Sequence, residues 1–248
     1  NSATGGTGGT GTSSNGAAGN GNGGGLYVGI GGNANFDASA GDISVSGNIF
    51  SNGQINVANG GGNVVNFIGG TTINSGLSTG TSIAAGGILN GTTDSLNSTI
   101  ANSGILRFTQ SANGTFIGNV TGTGTIELAG TGKIIYANAY AGITNVNNGT
   151  LEGTTAVLTG TTNITTPGSL LINQNANGTF TGTITGNGTV QKTGSGIVTM
   201  GNQTYTGTTN IDQGALLING TNASANVNVA SGAALSGNTT LTTGNLTN

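Results

Sequence analysis

Six carboxylates are the only acidic side chains in this sequence: Asp37, Asp42, Asp94, Glu127, Glu152 and Asp212. They are accompanied by three basic residues, Arg107, Lys133 and Lys192, and by no histidine or cysteine. Without an imidazole or a thiol the chain lacks a base to activate a serine, a thiolate nucleophile, and the nitrogen and sulfur ligands of a zinc centre. Glycosidic cleavage by paired carboxylates needs two of them about 5–9.5 Å apart. Only Asp37 and Asp42 lie close in sequence, and they read as two solvated loop carboxylates. Calcium wants six to eight oxygens, and nothing here resembles the GGxGxDxUx calcium repeat. The sequence therefore assigns no catalytic, cofactor-binding or metal residue, and it predicts a protein that is not an enzyme and takes no cofactor.

The few charges have plainer uses. Arg107 and Glu127 each stand three residues after a glycine that opens a similar segment, so stacked segments would pair them on an outer face, worth at most about 1 kcal/mol. Lys192 falls at an otherwise apolar slot and is expected to run along the wall and extend to solvent. Three cations are too few to neutralise a phosphate backbone, so nucleic acid is excluded as a partner. No apolar run approaches the roughly 20 residues of a membrane-spanning helix.

What positions these residues is an internal repeat. ANGTF at 112–116 returns as ANGTF at 176–180. In register with it are Gly104/Gly168, Leu106/Leu170, Gln110/Gln174, Gly124/Gly188 and Gly132/Gly196. After one added residue Tyr140/Tyr205, Asn145/Asn210, Gly149/Gly214 and Leu151/Leu216 follow. A shorter signal, glycine followed two places on by an aliphatic residue, recurs at Gly104, Gly124, Gly149, Gly168, Gly188 and Gly214. Two of its intervals, Gly124 to Gly149 and Gly188 to Gly214, are longer than the rest. It continues weakly at Gly232, and upstream less regularly at Gly53 and Gly87. Repeats of this kind mean stacked units that share a core.

The segments between glycines alternate apolar with small polar residues, as in Thr125-Ile-Glu-Leu128 and Thr189-Val-Gln-Lys192, the period of a strand with one face buried. Glycine and asparagine supply the corners. No stretch holds a helical stripe free of glycine, which costs about 1 kcal/mol per helix-interior position. The fold class read from this is all-β: a parallel β-solenoid, or β-helix, of about 21 residues per turn, with three turns per 64-residue repeat. Right-handedness follows from the general preference of parallel crossovers.

Composition bounds the rest. With 52 glycines and only 4% charged residues among 248, against about 25% in ordinary soluble domains, hydration must come from Asn, Thr, Ser and backbone groups. Disorder from failed burial usually accompanies high net charge; here the net charge is -3 and the apolar residues are periodic. Residues 1–25 hold nothing larger than Asn or Thr, and read either as a flexible leader or linker or as a segment donated to a neighbouring molecule during assembly. The solenoid is assigned to 26–248, with its best-defined repeats at 104–167 and 168–231. Thr-x-Thr strings at 121–125, 181–185 and 206–208 would resemble an ice-binding array if stacked on one flat face, although threonine is expected in exposed strands anyway. Sequons at Asn97, Asn113, Asn177, Asn187 and Asn202 are the number chance gives in so Asn- and Thr-rich a chain.

Residues Val190, Lys192, Gly194, Gly196, Met200, Gly201, Asn202, Tyr205, Thr206, Gly207, Thr209, Ile211, Gly214 and Leu216 form a recognisable pattern. It resembles the autotransporter-associated β-strand repeat of Gram-negative passenger domains. The preceding copy matches less closely, with Leu128 in place of the lysine and Tyr136 in place of the methionine. The resemblance implies a right-handed parallel β-helix at the bacterial surface, an adhesin or a structural stalk, with a host-cell or surface ligand as partner. The secretion signal and C-terminal membrane barrel of that family are not in this sequence, and Asn1 is not an initiator Met: either those parts were cleaved, or a related repeat serves another surface fibre. The expected function is non-enzymatic, structural or adhesive and extracellular; the alternative is a subunit of a filament that self-associates head to tail.

Overall fold

A computed structural model describes residues 26–28, 33–46, 49–51, 54–58, 61–68, 73–74, 80–96, 98–237, 240–241 and 245–247. Residues 1–25, Gly53 and the Asn97 sequon lie outside the described residues. The fold is an all-β parallel β-solenoid of about 10 turns of about 19 residues, with no helix among the described residues. Two compact units divide the described residues, those within 1–110 together with 116–126, and those within 111–115 and 127–248.

The first unit is built from short parallel strands. One sheet stacks Asn33–Phe36, Gln54–Val57, Thr81–Ile83, Ile100–Asn102 and Val120–Thr121. Another stacks Ile43–Ser46, Val65–Ile68, Ile88–Gly91 and Ile105–Phe108. A third joins Leu26–Val28, Ile49–Ser51 and Ile73–Asn74. Its turns are uneven: Ile55 pairs Thr81 and Thr81 pairs Ile100, so the earlier of these two turns takes up more chain than the later. That unevenness is why the glycine signal is irregular before residue 100. Ile55, Ile83, Leu89, Ile100 and Leu106 are all at most 1% exposed, and Phe108 meets Phe116 edge to face with ring centroids 5.0 Å apart.

The second unit is regular. Lys133–Tyr136, Thr150–Gly153, Ser169–Asn173, Thr189–Thr193, Thr208–Ile211, Asn226–Val229 and Asn245–Thr247 form one parallel sheet. Ile143–Val146, Thr161–Ile164 and Thr183–Gly186 form a second. Gly178–Phe180, Ile197–Met200, Ala215–Ile218 and Ala234–Ser236 form a third. Alternation decides what each strand buries: along the first sheet Ile134, Leu151, Leu170, Val190, Thr209 and Val227 stack inward, each at most 2% exposed. Each full burial of a large aliphatic side chain contributes roughly 1.5–3 kcal/mol. A thin core therefore suffices when every turn adds such residues on top of the last.

The register corrects the expected turn. Thr150 pairs Ser169 and Ser169 pairs Thr189, so a turn takes about 19 residues rather than 21. The 64-residue repeat is also not three turns. Gly114–Phe116, with the first ANGTF, shares the sheet of Lys133–Tyr136, and three rungs further on is Ser169–Asn173. The second ANGTF comes one strand later still, in Gly178–Phe180 on a different sheet. Likewise Lys133–Tyr136 returns as Ile197–Met200, and Thr150–Gly153 as Ala215–Ile218, each one sheet onward. One repeat thus makes three turns and about a third of another, and each copy reuses its apolar pattern on the next face. Dividing 64 by three overstated the turn.

Candidate functional site

Asp42, Glu127, Glu152 and Asp212 each bond to a neighbouring turn. Asp37 and Asp42 are both exposed. Asp37 Oδ1 accepts the Ser39 N–H at 3.0 Å, and this backbone bond, with the Ser39 hydroxyl, holds its carboxyl below the usual carboxylate value. Asp42 Oδ1 accepts the Val64 N–H, one turn on, at 3.0 Å. Asp94 is exposed in a turn. Asp212 accepts a bond from Gln191 Nε2 of the preceding turn. Among the described residues, no group of three or more His, Cys, Asp or Glu side chains could hold a metal ion.

Of the expected surface pair, Arg107 belongs to the first unit, in register with Asn90. Glu127 belongs to the second, where it accepts a 2.6 Å bond from Asn147 Nδ2. An ion pair that the sequence did not announce joins Lys133 Nζ to Glu152 Oε2 at 2.6 Å, and Asn173 Nδ2 donates to Glu152 Oε1 at 2.9 Å. Burial pushes the Glu152 carboxyl up, but the Asn173 bond and the Lys133 bond and charge outweigh it, leaving it below its ordinary value.

Lys192 does not extend to solvent. It is 1% exposed, in an inward row with Ile172 before it and Ile211 after it. Its Nζ donates to the carbonyls of Gly194 at 2.7 Å, Thr193 at 2.8 Å and Gln213 at 3.0 Å. A corner lined with backbone acceptors offers an ammonium better partners than the wall does, and burial pushes the pKa of that ammonium down.

The outward faces carry ladders of amides. Asn56 Nδ2 donates to Asn35 Oδ1 at 2.8 Å, and Asn90 to Asn66 at 2.7 Å. In the second unit Asn163 donates to Asn145 at 3.4 Å and Asn228 to Asn210 at 2.8 Å. Each pair is in register on neighbouring strands, and in all four the later turn donates to the earlier. Threonine hydroxyls extend two of them, Thr185 onto Asn163 and Thr247 onto Asn228. Stacked amides of this kind join chains laterally at the strand spacing.

At the corners the same chemistry ties side chain to backbone. Gln110, Gln174, Gln203 and Gln213 accept the N–H groups of Thr93, Thr155, Ile184 and Gly194, each one turn earlier. The sequon residues Asn113, Asn177 and Asn202 accept those of Lys133, Ile197 and Thr221, one turn later, while Asn187 accepts that of Thr166 in the turn before. The repeated Gln110/Gln174 and Asn113/Asn177 are therefore staples between turns. The Thr-x-Thr strings do not form one array. Thr181–Thr185 leads into the sheet of Ile143–Val146 and Thr206–Thr208 into that of Thr189–Thr193, so these two strings lie on different faces.

A buried polar cluster also escaped sequence reasoning. Tyr205 hydroxyl and Thr209 Oγ1 lie 2.6 Å apart, as do Thr209 Oγ1 and Ser224 Oγ. Asn222 donates to Tyr205 at 3.3 Å and accepts from the Ser224 N–H and hydroxyl. In the earlier copy Tyr136 reaches Thr144 at 3.3 Å, and burial pushes the Tyr136 phenol up. Thr144 and Thr209 are repeat equivalents, so the signal was a threonine recurring at an inward position. These hydroxyls satisfy one another within the core.

No protein-family model matches this chain, and no curated protein matches it. Its fold and its own side chains carry the functional reading.

Proposed function

We propose that this chain is a non-enzymatic structural or adhesive element on the outer surface of a bacterium, similar in role to the passenger stalk of an autotransporter. The observation that carries this reading is the use of the outward polar groups. Asparagine amides, threonine hydroxyls and carboxylates bind the next or the previous turn. Such a wall stays hydrated with few charges and repeats without a specialised pocket, which suits a spacer. The residues of the autotransporter-like pattern also hold solenoid roles: Val190, Met200, Tyr205, Ile211 and Leu216 point inward, and Gly194 and Gly214 turn corners at positive φ. The test is antibody labelling of the cells that produce the protein. Signal on intact cells, removed by added protease, is expected; signal only after permeabilisation contradicts the reading.

Head-to-tail self-association is a second reading, favoured by the low charge: with 4% charged residues and a net charge of -3, little repulsion opposes the association of one copy's rungs with another's. Sedimentation velocity at rising concentration is expected to show growing species; a monomer at every concentration contradicts this reading.

A further inference from the structure

The corner around Lys192 is a built site rather than an accident of packing. Three backbone oxygens from two successive turns, those of Thr193, Gly194 and Gln213, converge on one buried point within 2.7–3.0 Å. An ammonium has three N–H donors and no acceptor, so donors and acceptors match one to one. The same corner is held from the other side, because the Gly194 N–H donates to Gln213 Oε1 at 3.1 Å. Neighbouring rungs put Ile172 and Ile211 at this slot, and an aliphatic side chain cannot satisfy converging carbonyls. Gly214, at φ +66, is fixed by the same crowding: a Cβ there would lie 2.5 Å from the Gly194 oxygen.

We infer that this corner is a cation-binding cage for a primary ammonium, and that Lys192 is its tethered ligand, joining the turn of Thr189–Thr193 to the turn that follows. The butyl stem fills the apolar slot and the charged head closes the cage. The nearby carboxylate, Asp212, adjoins Gln213 in sequence and takes its bond from Gln191, which leaves the ammonium to the three carbonyls. Burial alone lowers its affinity for the proton, and the three carbonyl bonds act in the opposite sense by favouring the charged form.

Chemical rescue tests the cage. Lys192→Ala removes head and stem, while Lys192→Met keeps an apolar stem and removes the ammonium head with its charge and its three donors. Both are expected to melt lower than the parent chain by about 4 °C or more. Adding n-propylammonium chloride is expected to raise the melting temperature of Lys192→Ala, while the parent and Lys192→Met respond no more than they do to tetramethylammonium chloride, which has no N–H donor. If Lys192→Ala is unfolded in sodium chloride, the readout becomes recovery of β circular dichroism on titration with n-propylammonium. Lys192→Met melting at or above the parent overturns the inference. So does rescue that fails, or that tetramethylammonium supplies equally.

Discussion

A Cβ added at Gly207 would lie 1.8 Å from the carbonyl oxygen of Gly188, one turn earlier. That is far inside contact distance, and the obstacle is backbone. Gly207→Ala is therefore expected to destabilise the second unit by more than about 2 kcal/mol, read as a loss of several degrees in a thermal melt; a variant melting with the parent contradicts the close stacking of these turns. At Glu152 the expected effect depends on pH. Its carboxyl lies below the ordinary value of 4.5 in the folded chain, so it contributes stability above that pH and loses it as pH falls through the folded value. The melting gap between the parent and Glu152→Gln should be open at neutral pH and close in acid. A gap that does not change with pH contradicts the Lys133–Glu152 pairing. The sequence itself repeats glycine here, since Gly142 stands in the register of Tyr140/Tyr205 as the counterpart of Gly207. The role of Lys192 was not legible, because sequence shows the slot but hides the carbonyls that the next turn brings to it.

Strands were legible wherever a glycine preceded an aliphatic residue by two. Leu151, Leu170, Val190 and Leu216 all turn inward as that signal implies. Leu170→Ala should cost about 2–5 kcal/mol, and Leu170→Asp should abolish the fold of its unit, since a carboxylate at a 0% exposed site has no partner; unchanged circular dichroism for the aspartate variant contradicts the inward assignment. On the outer face, Asn228 donates to Asn210 and accepts from Thr247. Asn228→Ala should cost about 0.5–1.5 kcal/mol, and Asn228→Asp should not restore it, because a carboxylate cannot donate to Asn210. What the sequence hid at this scale was the sheet to which each strand belongs. Two of the short glycine steps, from Gly149 to Gly168 and on to Gly188, stay on one sheet, but the longer step from Gly188 to Gly214 passes a full turn and lands on the next. Linear spacing records both moves as one signal, and only register separates them.

At the scale of the whole molecule, a chain with 4% charged residues holds itself together through lateral bonds between turns: amide ladders outside, glutamine and asparagine staples at corners, and a hydroxyl network within. These depend on one fact, that positions separated by a single turn of about 19 residues lie side by side. The chain has no native cysteine, so paired cysteines can report this directly. Asn210 and Asn228 are in register on adjacent strands, and neighbouring parallel strands about 4.8 Å apart fall within the Cα range of a disulfide, about 4.4–6.8 Å. The longer turn obtained by dividing the repeat into three would instead set Asn210 beside Ser231. Mild oxidation of Asn210→Cys with Asn228→Cys should give rapid intramolecular cross-linking, and Asn210→Cys with Ser231→Cys should remain reduced; the opposite pattern would contradict the register on which the whole account stands.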